Sequence, residues 1–294
     1  MEVEGVGVAM VTPFTPKGEL DTAGLERITE KLCQEVDFLV PLGTTGETPT
    51  LTAEECEKVL DTVFAVNAGR LPIVVGCGGN NTAVVAQRMA YLENKYRPQA
   101  FLSVSPYYNK PNQTGIELHY QTLARQTKTP IMLYDVPGRT GRGVSAKTVA
   151  KLAGSVPNIM GLKDASGSLE QANELCLLTV SAQFLLASGD DKYAFAHQKL
   201  GYRAVISVAA NVVGAEMKEL WDLSRASNLF QKEQERYRAF VEFCDLIFEQ
   251  GSPAGVKYAL KAKGVCDASV RMPLTEISDE LCQKIDISLQ KMAR

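Results

Sequence analysis

The sequence predicts a (β/α)8 barrel followed by a C-terminal helical region, and three observations carry that expectation. Eight short β-rich runs alternate with amphipathic stretches of helical period, the pattern of successive βαβ units and a parallel sheet. The runs are nearly continuous in apolar residues, as strands covered on both faces are, and do not alternate as half-exposed strands do. All eight runs, with seven helical patterns between them, fit into about 210 residues, and no strand pattern returns from Val213 onward. An open doubly wound sheet shares the first two features and remains the rival architecture at this level.

In chain order, the strand runs are Gly5–Pro13, Phe38–Gly43, Pro72–Gly78, Ala100–Pro106, Pro130–Pro137, Ile159–Lys163, Phe184–Gly189 and Ala204–Val208. Between them lie helical patterns over Thr22–Val36, Thr52–Asn67, Thr82–Asn94, Gly115–Gln126, Ser145–Ala153, Ser168–Thr179 and Lys192–Leu200. Leu220–Gln250 and Val256–Lys263 read as helices separated by a Gly251-Ser252-Pro253 break, and Leu274 begins a last helical stretch. The expected organisation is a barrel over residues 1–225 that carries the active site and a helical region over 226–294.

Composition narrows the function classes. The 294 residues are 45% hydrophobic with net charge −3 and no basic block, which argues against nucleic acid or an anionic membrane as partner. No apolar run approaches a membrane span, and the start lacks the basic segment of a signal peptide, so a cytoplasmic protein is expected. Seven scattered cysteines with no Cys-x-x-Cys pair fit reduced thiols better than disulfides or a zinc site. The two histidines, His119 and His197, both fall in helical patterns and are poor candidates for a catalytic base.

In such a barrel the chemistry sits at the C-terminal ends of the strands. Lys163 ends the apolar run Ile159–Leu162. An amine at an apolar mouth is favoured in its neutral form, the nucleophile that attacks a carbonyl carbon to give a Schiff base. By position alone, a surface lysine just past a strand is the simpler reading; the other strand ends reverse it. After the second run comes Gly43-Thr44-Thr45-Gly46-Glu47, without the Gly-Lys-Ser/Thr ending of a phosphate loop. Gly76-Cys77-Gly78-Gly79-Asn80 lacks dinucleotide-loop spacing and reads as a turn. The fourth run ends in Pro106-Tyr107-Tyr108-Asn109, and the fifth in Tyr134-Asp135-Val136-Pro137-Gly138-Arg139. A tyrosine within an apolar strand needs a partner for its hydroxyl, and an arginine offers a planar fork for a carboxylate. A lysine, three tyrosines, two threonines and an arginine, with no metal-ligand cluster, suit imine chemistry on a small carboxylated carbonyl compound.

Gly43-Thr44-Thr45-Gly46-Glu47, Tyr134-Asp135-Val136-Pro137 and Gly161-Leu162-Lys163-Asp164 resemble the signatures of the pyruvate-dependent class I aldolase superfamily, which includes neuraminate lyase and dihydrodipicolinate synthase. The resemblance runs from about Gly5 to Val265. Within the superfamily, Pro106–Pro111 and Pro137-Gly138-Arg139-Thr140-Gly141 are similar to the synthase pattern. The resemblance implies that Lys163 forms the Schiff base with pyruvate and that Tyr134 moves protons at the imine and enamine. It implies that Thr45 and Tyr108 complete a proton relay, with Tyr108 supplied by a neighbouring subunit, and that Thr44 supports the tyrosine pair. Thr45 also binds the pyruvate carboxylate through its N–H, Arg139 holds the carboxylate of aspartate semialdehyde, and Gly189 and Ile206 contribute backbone groups near the pyruvate site. It implies no cofactor and no metal, and a homo-oligomer, a tetramer built from two dimers.

The chain departs from the pattern in places. Asp135 stands where asparagine is more usual; strand alternation turns it away from Tyr134, so a small effect on that tyrosine is expected. Gly161-Leu162-Lys163-Asp164 differs conservatively from the commoner Gly-Ile-Lys-Glu. Lysine-inhibited synthases carry histidines and a glutamate at positions that match Ala53, Cys56 and Val84 here, although Asn80 and Tyr107 remain. Weak or absent lysine inhibition is therefore expected, because the cationic amine has lost its anionic partner. The alternatives are a 2-keto-3-deoxy sugar acid aldolase or neuraminate lyase-like enzyme, against which Arg139 speaks, and more remotely a non-catalytic keto-acid-binding protein.

Overall fold

Eight strands form at the eight apolar runs, each a subset of its run or within a residue of its end, because the ladder stops where the chain turns into the functional loops. The computed structural model describes residues 3–180, 183–226 and 233–292. In order, the elements are β1 (Gly5–Ala9), α1 (Thr22–Glu35), β2 (Phe38–Val40), α2 (Ala53–Asn67), β3 (Val74–Gly76), α3 (Thr82–Tyr96), β4 (Ala100–Val104), α4 (Gln113–Gln126) and β5 (Ile131–Asp135). There follow α5 (Pro137–Thr140), α6 (Ala146–Ser155), β6 (Ile159–Asp164), α7 (Leu169–Thr179), β7 (Leu185–Ser188), α8 (Ala194–Leu200), β8 (Ala204–Ser207), α9 (Ala210–Ala226), α10 (Gln234–Phe248), α11 (Ala254–Ala262) and α12 (Asp279–Met292). Each of the eight strands precedes a helix, which is the repeat of the (β/α)8 barrel, and α10–α12 follow the eighth unit. The helix read over Leu220–Gln250 is two helices, α9 and α10; residues 227–232 of that stretch lie outside the described residues.

Polar caps set most helix starts. Asp21, Asn81, Asn112, Ser145 and Ser168 each accept a backbone N–H of the following turn. Thr52 and Glu55 form a reciprocal capping box at α2. Among the described residues no helix is long and apolar enough to cross a membrane.

The chain divides into two compact units. The first holds residues 5–71 and 207 onward. There β1 and β2 run parallel, with Gly7 opposite Phe38 and Ala9 opposite Val40. Asn211 at the start of α9 donates to the carbonyls of Ala9 and Val208 and accepts from Val11 N–H, fastening that helix to the end of β1. Phe14, Leu25, Ile28, Leu60, Trp221, Phe240 and Phe243 are buried in it.

The second unit holds residues 72–206. Its strands lie in the order β8-β7-β6-β5-β4-β3, all parallel neighbours. Sequential order without a crossover is barrel-like; a doubly wound sheet would reverse direction at a switch point. Register decides what faces what. Tyr134 pairs with Lys163, and Lys163 with Ala187; one residue on, Asp135 pairs with Asp164, and Asp164 with Ser188. Successive residues of a strand point to opposite faces, so Tyr134 and Lys163 share one face and Asp135, Asp164 and Ser188 the other.

Candidate active site

Lys163 is buried near the end of β6, and its Nζ lies 4.5 Å from the centroid of the Tyr134 ring. The register of β5 against β6 produces that contact, since the two residues are direct neighbours on one face. Gly189, just beyond β7, completes the wall. A Cβ there would stand 3.0 Å from Lys163 Cε and 2.8 Å from Ala165 Cβ, so only glycine leaves the lysine stem its place. Gly189 N–H donates to Asp164 O at 2.7 Å, which fixes the approach. Ile206 is fully buried in β8 of the same unit. The structure thus brings Lys163, Tyr134 and Gly189 into one contact group.

Two loops that the sequence marks as functional are held in strained backbone. Among the described residues, six non-glycine residues have positive φ. Ala68 and Arg97 are ordinary left-handed caps of α2 and α3. The other four bracket the candidate loops: Leu42 (φ 58°) and Glu47 (φ 52°) flank Gly43–Gly46, and Tyr108 (φ 72°) and Lys110 (φ 46°) flank Asn109. Such positions cost about 1–3 kcal/mol each and persist only where surrounding contacts impose them. In the first unit Thr44, Thr45 and Gly46 form a 3-10 turn, with Thr45 buried and Thr44 exposed. Thr12 Oγ1 donates to Gly46 O at 2.7 Å, and Thr48 Oγ1 donates to Gly43 O. In the second unit Asn80 Nδ2 donates to Tyr107 O and Asn109 Nδ2 donates to Asn80 O, both at 3.1 Å. Tyr108 itself is 89% exposed.

Arg139 sits on α5, a single turn started by Pro137 at its first position and ended by Gly141 at φ 69°. The turn leaves the arginine exposed. Both histidines are packing residues. His119 Nδ1 meets Thr82 Oγ1 at 2.8 Å, and burial pushes its imidazole down to about 4, so it stays neutral. His197 Nδ1 meets Ser188 Oγ at 2.9 Å and stacks on Tyr202.

Behind Tyr134 and Lys163 lies a buried acid pair. Asp135 accepts from Val144 N–H at 3.0 Å and from Gln171 Nε2 at 2.9 Å, and Tyr202 donates to Asp164 at 2.7 Å. Burial pushes the Asp135 carboxyl up to about 6; its two hydrogen bonds oppose the shift and nearby Asp164 adds to it. With the folded value above the ordinary 3.8, the group favours folding fully below about pH 4, and that contribution is lost as pH rises through about 6. Above that range the ionised carboxylate costs about 2–3 kcal/mol. Asp135→Asn removes the charge; the Gln171 amide then turns to present its carbonyl and gives up its long 3.5 Å contact with Val144 O. The variant is expected to melt several degrees higher than the wild type near pH 8 and no higher near pH 4. Thermal melts at the two pH values check this, and an equal gain at both would contradict it.

With this geometry established, relatives identify the lineage. The Dihydrodipicolinate synthetase family matches the chain over residues 2–292. A 4-hydroxy-tetrahydrodipicolinate synthase of Cytophaga hutchinsonii is 40% identical over 291 residues, covering 99% of this chain and 97% of that protein. Dihydrodipicolinate synthase of Thermotoga maritima superposes with a TM-score of 0.95 at 34% identity, covering 99% of this chain and 98% of that one. The chloride-inhibited dihydrodipicolinate synthase of Acinetobacter baumannii, solved in complex with pyruvate, gives a TM-score of 0.94 at 33% identity, with 99% of each chain covered. The register that sets Lys163 against Tyr134 therefore sits on a scaffold shared along its whole length with these synthases, and the chain belongs to the dihydrodipicolinate synthetase family.

Proposed function

We propose that the protein condenses pyruvate with L-aspartate 4-semialdehyde through a Schiff base on Lys163, giving 4-hydroxy-tetrahydrodipicolinate for diaminopimelate and lysine biosynthesis. The observation that carries this reading is the buried Lys163 amine over the Tyr134 ring, with Gly189 against its stem. The Lys163 amine adds to the keto carbon of pyruvate, and loss of water leaves a protonated imine. A methyl proton departs to give the enamine. The enamine carbon forms a bond to the aldehyde carbon, whose oxygen takes a proton. The product's own amine then attacks the imine carbon, closes the ring and releases Lys163 as the free amine. Each step moves a proton, and the strand register sets Tyr134, which carries a hydroxyl, directly beside Lys163.

In this reading Thr45 binds the pyruvate carboxylate and Thr44 supports the relay, while Ile206 and Gly189 line the pyruvate site. Arg139 holds the carboxylate of the aldehyde substrate in attack geometry; its exposure on α5 suits a residue that meets an incoming ligand. Tyr108 completes the relay of a partner subunit. Tyr108 is held at positive φ and left 89% exposed, a placement that suits a side chain received by another surface. A homotetramer of two dimers in the cytoplasm is the corresponding assembly, with residues 1–225 carrying the site and 226–294 forming the helical region. Val84, more than half exposed, leaves an apolar side chain where a glutamate would pair with a regulatory lysine. Mixing the protein with pyruvate and aspartate semialdehyde should give turnover that added lysine does not lower. No turnover with this aldehyde, and turnover with a 2-keto-3-deoxy sugar acid, would favour the aldolase alternative.

A further inference from the structure

One ion pair in the first unit is fully enclosed. Lys257 on α11 has no exposed surface, and its Nζ lies 2.5 Å from Glu47 Oε1 and 2.8 Å from Ser269 O. Glu47 is the left-handed residue that ends the Gly43–Gly46 turn, and it is 3% exposed. Its second oxygen accepts from Arg271 N–H at 3.0 Å. The ring of Phe14 faces both cations, with Lys257 Nζ at 4.1 Å and Arg271 Cζ at 4.2 Å from its centroid. Arg271 in turn forks onto Glu55 and donates to Thr50 O and Gly18 O. Two donors from the C-terminal part of the chain, Lys257 Nζ and Arg271 N–H, therefore converge on the one carboxylate at the end of the threonine turn.

Burying a lysine and a glutamate together is poor economy for stability alone, since apolar side chains of similar size usually fill such a space at least as well. Burial pushes the Lys257 ammonium's pKa down, and Glu47 is the strongest influence holding it up. A pair of this kind is useful where a single geometry must be imposed. Here the geometry imposed is the strained end of the turn, since Leu42 and Glu47 both occupy the left-handed region on either side of Gly43–Gly46.

We propose that Lys257 is a positioning residue that acts through Glu47: the buried pair holds the Thr44-Thr45 turn in the conformation that receives the pyruvate carboxylate, so that the C-terminal helices tune pyruvate affinity. This rests on the assignment of Thr45 to pyruvate. The test is the pyruvate dependence of borohydride trapping at Lys163, with steady-state KM for each substrate, in wild type, in Glu47→Gln and in the double variant Glu47→Gln/Lys257→Met. The double variant removes both buried charges, so a folded protein remains to be read where a lone Lys257→Met would leave a carboxylate stranded. Both variants are expected to need about tenfold more pyruvate for half-trapping, the size of effect that one relaxed backbone position gives. The KM for aspartate semialdehyde should change little, and the labelled residue should remain Lys163. Lowered melting temperatures with unchanged pyruvate half-saturation would overturn the proposal and leave the pair a purely structural one. Failure of the wild type itself to label with pyruvate would overturn the site reading, and with it this role for Lys257.

Discussion

Lys163→Ala is expected to abolish turnover, with kcat falling by at least about 10⁴-fold, while the fold is kept. The loss is this large because the proposed mechanism makes the lysine the covalent partner: without its amine no imine would form and there would be no electron sink for the methyl proton. The structural cost is small by comparison. Removing a buried lysine stem beside Tyr134 and Gly189 costs about 1–3 kcal/mol, within what a large barrel tolerates. Initial rates and a thermal melt on the same preparation separate the two effects. Near-normal turnover from the folded variant would contradict the Schiff-base mechanism outright.

The second large effect is expected from Tyr134→Phe. The ring that Lys163 packs against is kept, so the geometry of the amine should survive, and only the hydroxyl proposed to carry protons is lost. A fall of about 10²–10⁴ in kcat follows from removing one general acid–base group. The pyruvate KM should move little, since in the proposed mechanism the hydroxyl acts during proton transfer and Thr45 holds the carboxylate. Steady-state kinetics across pyruvate concentrations read the split; a kcat within twofold of wild type would show that Tyr134 moves no proton that matters.

Much of this arrangement is legible in the sequence because it is local. Apolar runs of five to nine residues announce the strands, and the helical patterns read from Thr52, Ser145 and Ser168 begin on the residues that cap those helices in the structure. Lys163 and Tyr134 stand out as polar residues inside such runs. The alternation rule turns Asp135 to the opposite face from Tyr134, and the register agrees. What the alternation does not reveal is that Asp135 is fully buried beside a second carboxyl, Asp164, because which helices cover that face depends on the packing of distant segments. The Glu47–Lys257 pair is hidden for the same reason. Its partners stand 210 residues apart, and Lys257 reads in sequence as one more polar position of an amphipathic helix. The only signal was Glu47 itself, the last residue of the Gly43–Glu47 motif, with no role suggested by spacing. Left-handed backbone at Leu42, Tyr108 and Lys110 is likewise illegible, since none of these residue types favours it; the strain comes from the loops' attachments, such as Asn80 to Tyr107.

The most direct measurement is borohydride reduction of the protein in the presence of pyruvate, followed by intact mass and peptide mapping. The expected result is one pyruvate-derived adduct per chain, located on Lys163 and absent from the Lys163→Ala protein. A folded protein that turns over substrate without an adduct, or an adduct on another lysine, would contradict the assignment of Lys163 as the Schiff-base residue.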